Sequence, residues 1–293
     1  MGRLLKTKYG LWPPANLFSM DLAMGLHYYH NNGDFSADRV DALQRLSKNE
    51  KQKVRLVQGH MGFGIHEYFP QQCQYVTVIR EPVNRVLSHY HQLKLQDWCP
   101  FKEEIRSMPM KDFLVQYPID AFSNYQVKML AGVHKHLPGD ATPYDLTSAN
   151  RNTLETAQRN VAERYLTIVT ESFDESLLLM KEQLGWRHAH YIKSNVTKKR
   201  RKREDLDDSV IELIRSQNSL DIELYGQVVE KMKIDIANQG PDFQQKVKKF
   251  KKRNRFLNRV FYWPIDRLFK LGRKVHVSRR RHGVSTATKS KLL

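Results

Sequence analysis

A short apolar run that ends in an arginine is the feature that most constrains the fold. Tyr75–Ile79 is apolar and β-branched, a composition typical of a strand buried in a parallel sheet. Arg80 follows, and then Pro82, which suits the first turn of a helix and not a central strand. Apolar residues then recur at helical spacing. The sequence therefore predicts a strand, a tight turn and a helix that continues to about Leu95.

The turn after this strand carries a candidate phosphate site. Arg80 is predicted at the carboxyl end of the strand, and Ser88 about two turns into the following helix. Ligands of open α/β sheets bind outside the carboxyl ends of the strands, and a guanidinium near a hydroxyl suits a phosphate. The alternative is a structural ion pair between Arg80 and a glutamate, and the spacing alone leaves both possibilities open.

A second strand is predicted at residues 54–57, directly before Gly59 and His60. A histidine at the end of a strand can take a proton from a hydroxyl near neutral pH. The alternative is that His60 is a hydrogen-bonded loop residue. His66 in the same loop is the next candidate for a base, but the segment around it has the pattern of a packed element.

The rest of the chain alternates strands and helices. Tyr165–Val169 is a third predicted strand, and Gly132 and Gly185 are predicted to end helices. This order favours an α/β fold with a doubly wound sheet. Ser36 is a plausible N-cap for a helix over 36–51. Further helical segments are predicted at 101–117, 124–132, 153–164, 175–184 and 210–234.

Charge divides the chain into two parts. The formal net charge is +18, and residues 246–293 hold 17 Lys and Arg against one acidic residue, Asp266. We therefore predict a nearly neutral domain over residues 1–239 and a basic amphipathic tail over 240–293, with a boundary at Gly240 and a disordered end from His276. Such a tail suits a membrane surface or a polyanion. The alternative is a helix packed on the domain.

Several function classes find little support in the sequence. No apolar run approaches 18 residues, and the first twenty residues lack the apolar centre of a signal peptide. Cys73 and Cys99 have no metal-ligand spacing and are expected as unpaired thiols, so no metal is predicted. A nucleic-acid partner is disfavoured because no known binding fold is visible. For the basic run 198–203, a solvated loop or a nuclear-import-like patch is the alternative to a ligand-binding role.

Two stretches resemble the carbohydrate sulfotransferases, most closely the branch of uronyl 2-O-sulfotransferases and their bacterial relatives. They are GHMGFGIHEYFP (59–70) and YVTVIREPVNRVLSHY (75–90). In that family the Arg and Ser of R-[DE]-P-x-x-R-x-x-S bind the 3′-phosphate of 3′-phosphoadenosine 5′-phosphosulfate (PAPS), and Arg80 and Ser88 match them. The histidine of G-H-x-x-[FY]-G is a base candidate beside the acceptor, and His60 matches it. Gln58 stands where some members have a second histidine.

The resemblance extends to a nucleotide loop and to the fold. In the family, an N-V-[TN] loop with nearby basic residues closes over the nucleotide, and Asn195, Thr197 and Lys198 match it. The resemblance thus implies PAPS as co-substrate, a carbohydrate acceptor, and a mainly parallel, doubly wound sheet like that of P-loop NTPases. No metal is predicted, because the sequence contains no cluster of metal ligands.

The beginning of the chain departs from the family pattern. Family members open with a strand and a P-K-T-[GA]-[GT]-T loop that holds the 5′-phosphosulfate. This sequence begins MGRLLKTKYG, with only Lys6-Thr7 as a possible remnant. We therefore expect an N-terminally truncated domain that lacks this strand and loop. No complete Walker-type loop supports a P-loop kinase.

Two functions consequently stay open at this point. One is a PAPS-dependent sulfotransferase. The other is an inactive sulfotransferase-like protein that binds acidic polysaccharide or another polyanion through its tail. The compartment also stays open: cytoplasmic for a bacterial protein, or the Golgi membrane if a preceding segment carried an anchor.

Overall fold

The computed structural model describes residues 26–30, 33–37, 46–59, 62–96, 99–133, 148–186, 189–191 and 206–262. Its described strands are β1 (Leu26–His30), β2 (Gly33–Ala37), β3 (Val54–Gly59), β4 (Tyr75–Ile79) and β5 (Tyr165–Val169). Its described helices are α1 (Lys48–Lys53), α2 (Pro82–Leu95), α3 (Lys102–Ser107), α4 (Met110–Gln116), α5 (Tyr125–Ala131), α6 (Arg151–Arg164), α7 (Phe173–Gln183), α8 (Asp208–Gln217), α9 (Ser219–Ala237) and α10 (Phe243–Leu257). Short 3₁₀ turns occupy Ile65–Tyr68, Asp120–Phe122 and Thr170–Ser172.

β4 and β5, which are far apart in the sequence, pair in parallel. β4 and β5 align from Tyr75 opposite Tyr165 to Ile79 opposite Val169, which confirms both predicted strands. β3 is also confirmed as a strand, but it belongs to an antiparallel sheet of order β2-β1-β3. The described residues thus form a mixed, largely helical fold with a small parallel sheet, compatible with the α/β class. The doubly wound, P-loop-like arrangement stays a prediction.

The predicted helix over 36–51 is wrong at its first two residues, and residues 38–45 lie outside the described residues. Ser36 lies in β2, opposite His27 of β1, and therefore does not cap a helix. The helix that follows begins at Ser47, which forms a capping box with Glu50, and it covers only Lys48–Lys53. Ser47, eleven residues after Ser36, is the serine that caps this described helix.

The turn between β4 and α2 follows from its sequence. Pro82 occupies the first position of α2, and the Glu81 carboxylate accepts hydrogen bonds from the N–H groups of Val83 (3.2 Å) and Asn84 (2.7 Å). These bonds satisfy donors that a helix start leaves without partners. The apolar face of α2 is buried, as its spacing predicts.

One long predicted helix is divided in two. Asn218 separates α8 from α9, and its amide donates to the carbonyls of Phe122 (2.7 Å) and Ile214 (2.8 Å). Those bonds hold the junction against the turn before α5. α9 then packs on α5, α6 and α7, and its buried residues include Asp221, Leu224, Val228 and Met232.

The first helix beyond Gly240 packs on the rest of the fold. Phe243, Val247 and Phe250 of α10 are buried, and α10 contacts α7. For this helix the structure matches the alternative of a helix packed on the domain. The boundary at Gly240 and the two-domain division stay predictions, and residues 276–293 lie outside the described residues. Among the described residues, none of the helices has the length and hydropathy that crossing a membrane requires.

Candidate functional site

Arg80 stands directly after β4, as the sequence predicts, and its backbone is fixed on both sides. Its N–H donates to Gln126 Oε1 (2.8 Å), and its carbonyl accepts from Gln126 Nε2 (3.0 Å). Its side chain is 27% exposed, with Nε 4.0 Å from Glu171 Oε1. That separation is too long for a hydrogen bond. Arg80 thus lies at the edge of the sheet and forms a long ion pair with a glutamate, the alternative that the sequence left open.

Glu171 ties the carboxyl ends of the two parallel strands together. Its side chain accepts hydrogen bonds from the Glu81 N–H (3.2 Å) and the Tyr225 hydroxyl (3.0 Å). Burial, together with the Glu171 carboxylate, raises the pKa of Tyr225 well above its usual range. The neighbouring Thr170 hydroxyl donates to the carbonyl of Ile79, the last residue of β4 (2.8 Å). Arg80 therefore stands on a rigid edge.

Ser88 lies on α2, as predicted, on the border between the core and solvent. It is the seventh residue of the helix, so it lies about 9 Å along the helix axis from Pro82. Its side chain is half-buried, between the buried Leu87 and the half-buried His89. The helix itself is rigidly packed, so Ser88 keeps a fixed position relative to the turn that carries Arg80.

Arg85, the middle arginine of the same motif, has a structural role that the sequence did not reveal. Its Nη2 donates to the carbonyl of Ala121 (2.5 Å), and its guanidinium lies 5.4 Å from the centre of the Tyr125 ring. Its Nε is 4.0 Å from the carboxylate of the fully buried Asp221. Burial lowers the pKa of Arg85, an effect that Asp221 opposes. Its position in the motif is the one signal that could have singled it out.

Asp221 connects this buried arginine to the residue that holds Arg80. Its carboxylate accepts the N–H groups of Gln126 (3.1 Å) and Val127 (2.8 Å) at the start of α5. Burial raises the pKa of Asp221, and Arg85 and these two N–H groups oppose that shift. The carboxylate thus caps α5 from a distant helix, which aims the Gln126 side chain at Arg80.

The other end of α5 holds the loop that follows β3. The N–H of Phe63 donates to the Met129 carbonyl (2.9 Å). Gly132 ends α5 with φ +81°, and a Cβ there would lie 2.8 Å from the Phe63 carbonyl oxygen. Only glycine accommodates both conditions without strain. Phe63 comes three residues after His60, and its ring packs against those of Tyr75 and Tyr165 at the amino ends of β4 and β5. This short helix therefore joins the loop at that end of the sheet to Arg80 at the other end.

His66 is bound at the opposite end of β4. Its Nδ1 lies 2.7 Å from the Tyr75 hydroxyl, which also accepts the N–H groups of His66 (3.0 Å) and Gly64 (3.2 Å). Tyr75 begins β4 and Arg80 follows its end, so the two are separated by about 16 Å along the strand. His66 is therefore remote from the predicted phosphate site.

The remaining predicted site residues lie outside the described part of the chain. They are His60, which follows β3 directly, and Asn195, Thr197 and Lys198, together with the basic run 198–203. Across the described ranges, no group of three or more His, Cys, Asp or Glu side chains is arranged to hold a metal ion.

Comparison with known proteins identifies the family. No curated protein matches the chain. A family model described as galactose-3-O-sulfotransferase matches residues 23–263. This range includes all of the predicted site residues. The expected likeness to carbohydrate sulfotransferases is confirmed, and the matching model describes the galactose-3-O enzymes, not the uronyl 2-O branch. The chain therefore belongs to the galactose-3-O-sulfotransferase family.

Proposed function

We propose that this protein transfers a sulfuryl group from PAPS to a carbohydrate hydroxyl, at the carboxyl end of β4. The observation that carries the proposal is the placement of Arg80: directly after a parallel strand, partly exposed, with its backbone fixed by Gln126. This is where α/β sheets bind ligands. The family supports sulfuryl transfer to a carbohydrate, and galactose is the acceptor that its description names.

On the donor side, Arg80 and Ser88 bind the 3′-phosphate and set the register of PAPS. The Glu171 carboxylate lies 4.0 Å from Arg80 Nε, and in this proposal Arg80 exchanges that ion pair for the phosphate. Charge-assisted bonds from a guanidinium to phosphate are among the strong hydrogen bonds of proteins. Asn195, Thr197 and Lys198 complete the nucleotide site in this proposal.

On the acceptor side, His60 takes the proton from the attacking hydroxyl. The sugar oxygen forms a bond to sulfur while the bond from sulfur to the 5′-phosphate oxygen breaks, and 3′-phosphoadenosine 5′-phosphate leaves. Negative charge grows on that leaving phosphate, so cationic and amide donors stabilise it in the transition state. Phe63, three residues after His60, is held by α5. The same helix holds the backbone of Arg80 at its other end.

Calorimetric titration with 3′-phosphoadenosine 5′-phosphate tests the donor site. Arg80→Ala should weaken binding by about 1.5–3 kcal/mol, the range of a hydrogen bond to a charged group. Ser88→Ala should weaken it less, because a neutral hydroxyl contributes less. Arg151→Ala is the matched control, since Arg151 is an exposed arginine paired with Glu223. Unchanged affinity in Arg80→Ala would remove Arg80 from the site.

A transfer assay tests the base. His60→Ala should lower the rate by about 10²–10⁴ while nucleotide affinity stays, because a general base acts on the acceptor. His66→Ala is the control, and its rate should stay near wild type because His66 is bound to Tyr75. The assay should use this chain and a version extended upstream by any in-frame strand and phosphosulfate loop. Full activity of the extended His60→Ala protein would exclude His60 as the base.

A second candidate function is polyanion binding without transfer. It is favoured by the 17 Lys and Arg of residues 246–293, several of which lie exposed on α10. If this function is correct, the protein should bind an acidic polysaccharide. Neither this chain nor the version extended upstream should transfer a sulfuryl group. Transfer by either form would decide for the enzyme.

A further inference from the structure

The helix α10 is attached to the fold by one face. Phe243, Val247 and Phe250 are buried, and Asn254 accepts the backbone N–H of Tyr191 (3.1 Å). Lys251 pairs with Glu175 of α7 at the edge of this face (2.9 Å). Because this face is fixed against the protein, the orientation of the opposite face toward the surroundings is also fixed.

The opposite face is strongly cationic. The 15 residues of α10 include seven Lys and Arg and no acidic residue. Lys248, Lys252 and Arg255 recur at spacings of four and three and are exposed, so they form one stripe along the helix. Arg259, in the π-helical turn Asn258–Tyr262, is also exposed. This arrangement concentrates positive charge on the side of α10 that faces away from the fold.

Two apolar side chains project beside that stripe. Phe256 is 60% exposed and Val260 is 45% exposed, four residues apart. Phe256 follows Lys249 and Lys252 at spacings of seven and four, so it shares a surface stripe with both. The cationic stripe alone would be enough to bind a polyanionic chain. An exposed phenylalanine beside an aliphatic side chain gains free energy at a boundary where an apolar phase meets a charged layer.

We propose that this outer face of α10 docks the protein on an anionic phospholipid surface. Lysine and arginine bind the lipid headgroups, and Phe256 and Val260 reach the boundary of the acyl chains, the division of labour seen in interfacial helices. The sequence beyond this helix continues the pattern, with Trp263, Ile265 and Leu268 interleaved with basic residues. The proposal does not depend on the sulfotransferase activity.

Cosedimentation of the full chain with phosphatidylcholine vesicles, with and without phosphatidylserine, tests the proposal. Binding should require phosphatidylserine. The triple variant Lys248→Gln/Lys252→Gln/Arg255→Gln should bind about 100-fold more weakly, since each cation near such a surface contributes roughly fivefold. Phe256→Ser should lower vesicle binding about tenfold through lost apolar contact, and its elution from heparin should not change. Gln245→Ser, on the same exposed stripe, is the matched control and should bind like wild type.

Three results would overturn the proposal. They are equal binding to vesicles with and without phosphatidylserine, no binding to either, and unchanged vesicle binding by Phe256→Ser. The last result together with tight binding to a sulfated glycan would assign the face to acidic carbohydrate. All substituted side chains are exposed, so the thermal midpoints of the variants should match wild type.

Discussion

Gln126 closes a ring of two hydrogen bonds with the backbone of Arg80, accepting its N–H at 2.8 Å and donating to its carbonyl at 3.0 Å. The residues are 46 positions apart in the chain. Such a ring replaces the partners that a neighbouring strand would supply at the end of β4. It therefore fixes the direction in which the Arg80 side chain leaves the sheet, and this makes Gln126 a positioning residue for the proposed phosphate site.

Gln126→Ala should weaken nucleotide binding without removing any proposed contact to the nucleotide. Loss of the two bonds should also lower the free energy of unfolding by about 1–3 kcal/mol. Gln74→Ala is the matched control, because Gln74 donates to the Arg164 carbonyl (2.8 Å) at the opposite end of the same strands. Urea unfolding and calorimetry measure both effects. Equal loss of nucleotide affinity in the two variants would show that Gln126 acts through stability alone.

The parts of the site that the sequence predicted are those with local signals. The apolar run before Arg80, the proline at the start of α2 and the spacing on α2 act within about fifteen residues, so strand, turn and helix were all predicted. Gln126 and Asp221 had no such signal, because their partners are remote in the chain. The same reason explains the division between α8 and α9, where Asn218 bonds to Phe122.

Gly132→Ala should disturb the loop that carries the proposed base. The substitution places a Cβ 2.8 Å from the Phe63 carbonyl oxygen and forces a positive φ of 81° on alanine. Gly185→Ala imposes only the backbone strain, since φ is +61° there with no atom within 4 Å, and should cost about 1–2 kcal/mol. We expect Gly132→Ala to cost more than Gly185→Ala and to reduce transfer activity. Identical unfolding free energies would show that the loop adapts freely.

Stability should fall at high pH through the Tyr165 hydroxyl. Burial, and to a lesser degree Tyr75, raises the pKa of Tyr165 above its ordinary value of 10.0. The folded state therefore retains this proton where the unfolded state releases it. The contribution is fully present below pH 10 and is lost as the pH rises above it.

Urea unfolding at pH 8 and pH 11 measures this effect. Between pH 8 and pH 11, the free energy of unfolding of wild type should fall by about 1.4 kcal/mol relative to that of Tyr165→Phe. This amount corresponds to the one pH unit by which pH 11 exceeds the tyrosine pKa in the unfolded chain. Tyr68→Phe controls for removal of a tyrosine hydroxyl from a half-buried position. A stability difference that does not change with pH would mean that Tyr165 ionises as readily in the folded protein as in the unfolded chain.

Truncation before α10 should destabilise the protein, and truncation after it should not. A protein that ends at Gln239 loses the three buried side chains Phe243, Val247 and Phe250, each of which contributes about 1.5–3 kcal/mol when fully buried. A protein that ends at Tyr262 keeps them and loses only the remaining basic sequence. We therefore expect the shorter protein to unfold at lower urea and the longer one to match the full chain.

The same pair of truncations separates packing from charge. Asn254 Oδ1 accepts the N–H of Tyr191 (3.1 Å), and Asn258 Nδ2 donates to its carbonyl (2.8 Å). Tyr191 precedes the segment that contains Asn195, Thr197 and Lys198, so ending the chain at Gln239 should also weaken nucleotide binding. The protein that ends at Tyr262 should keep its nucleotide affinity, because Asn254 and Asn258 still hold Tyr191. It should elute from heparin at lower salt than the full chain, because the basic residues after Tyr262 are removed. If the protein that ends at Gln239 kept full stability and nucleotide affinity, α10 would be a dispensable appendage and the boundary at Gly240 would be a true domain boundary.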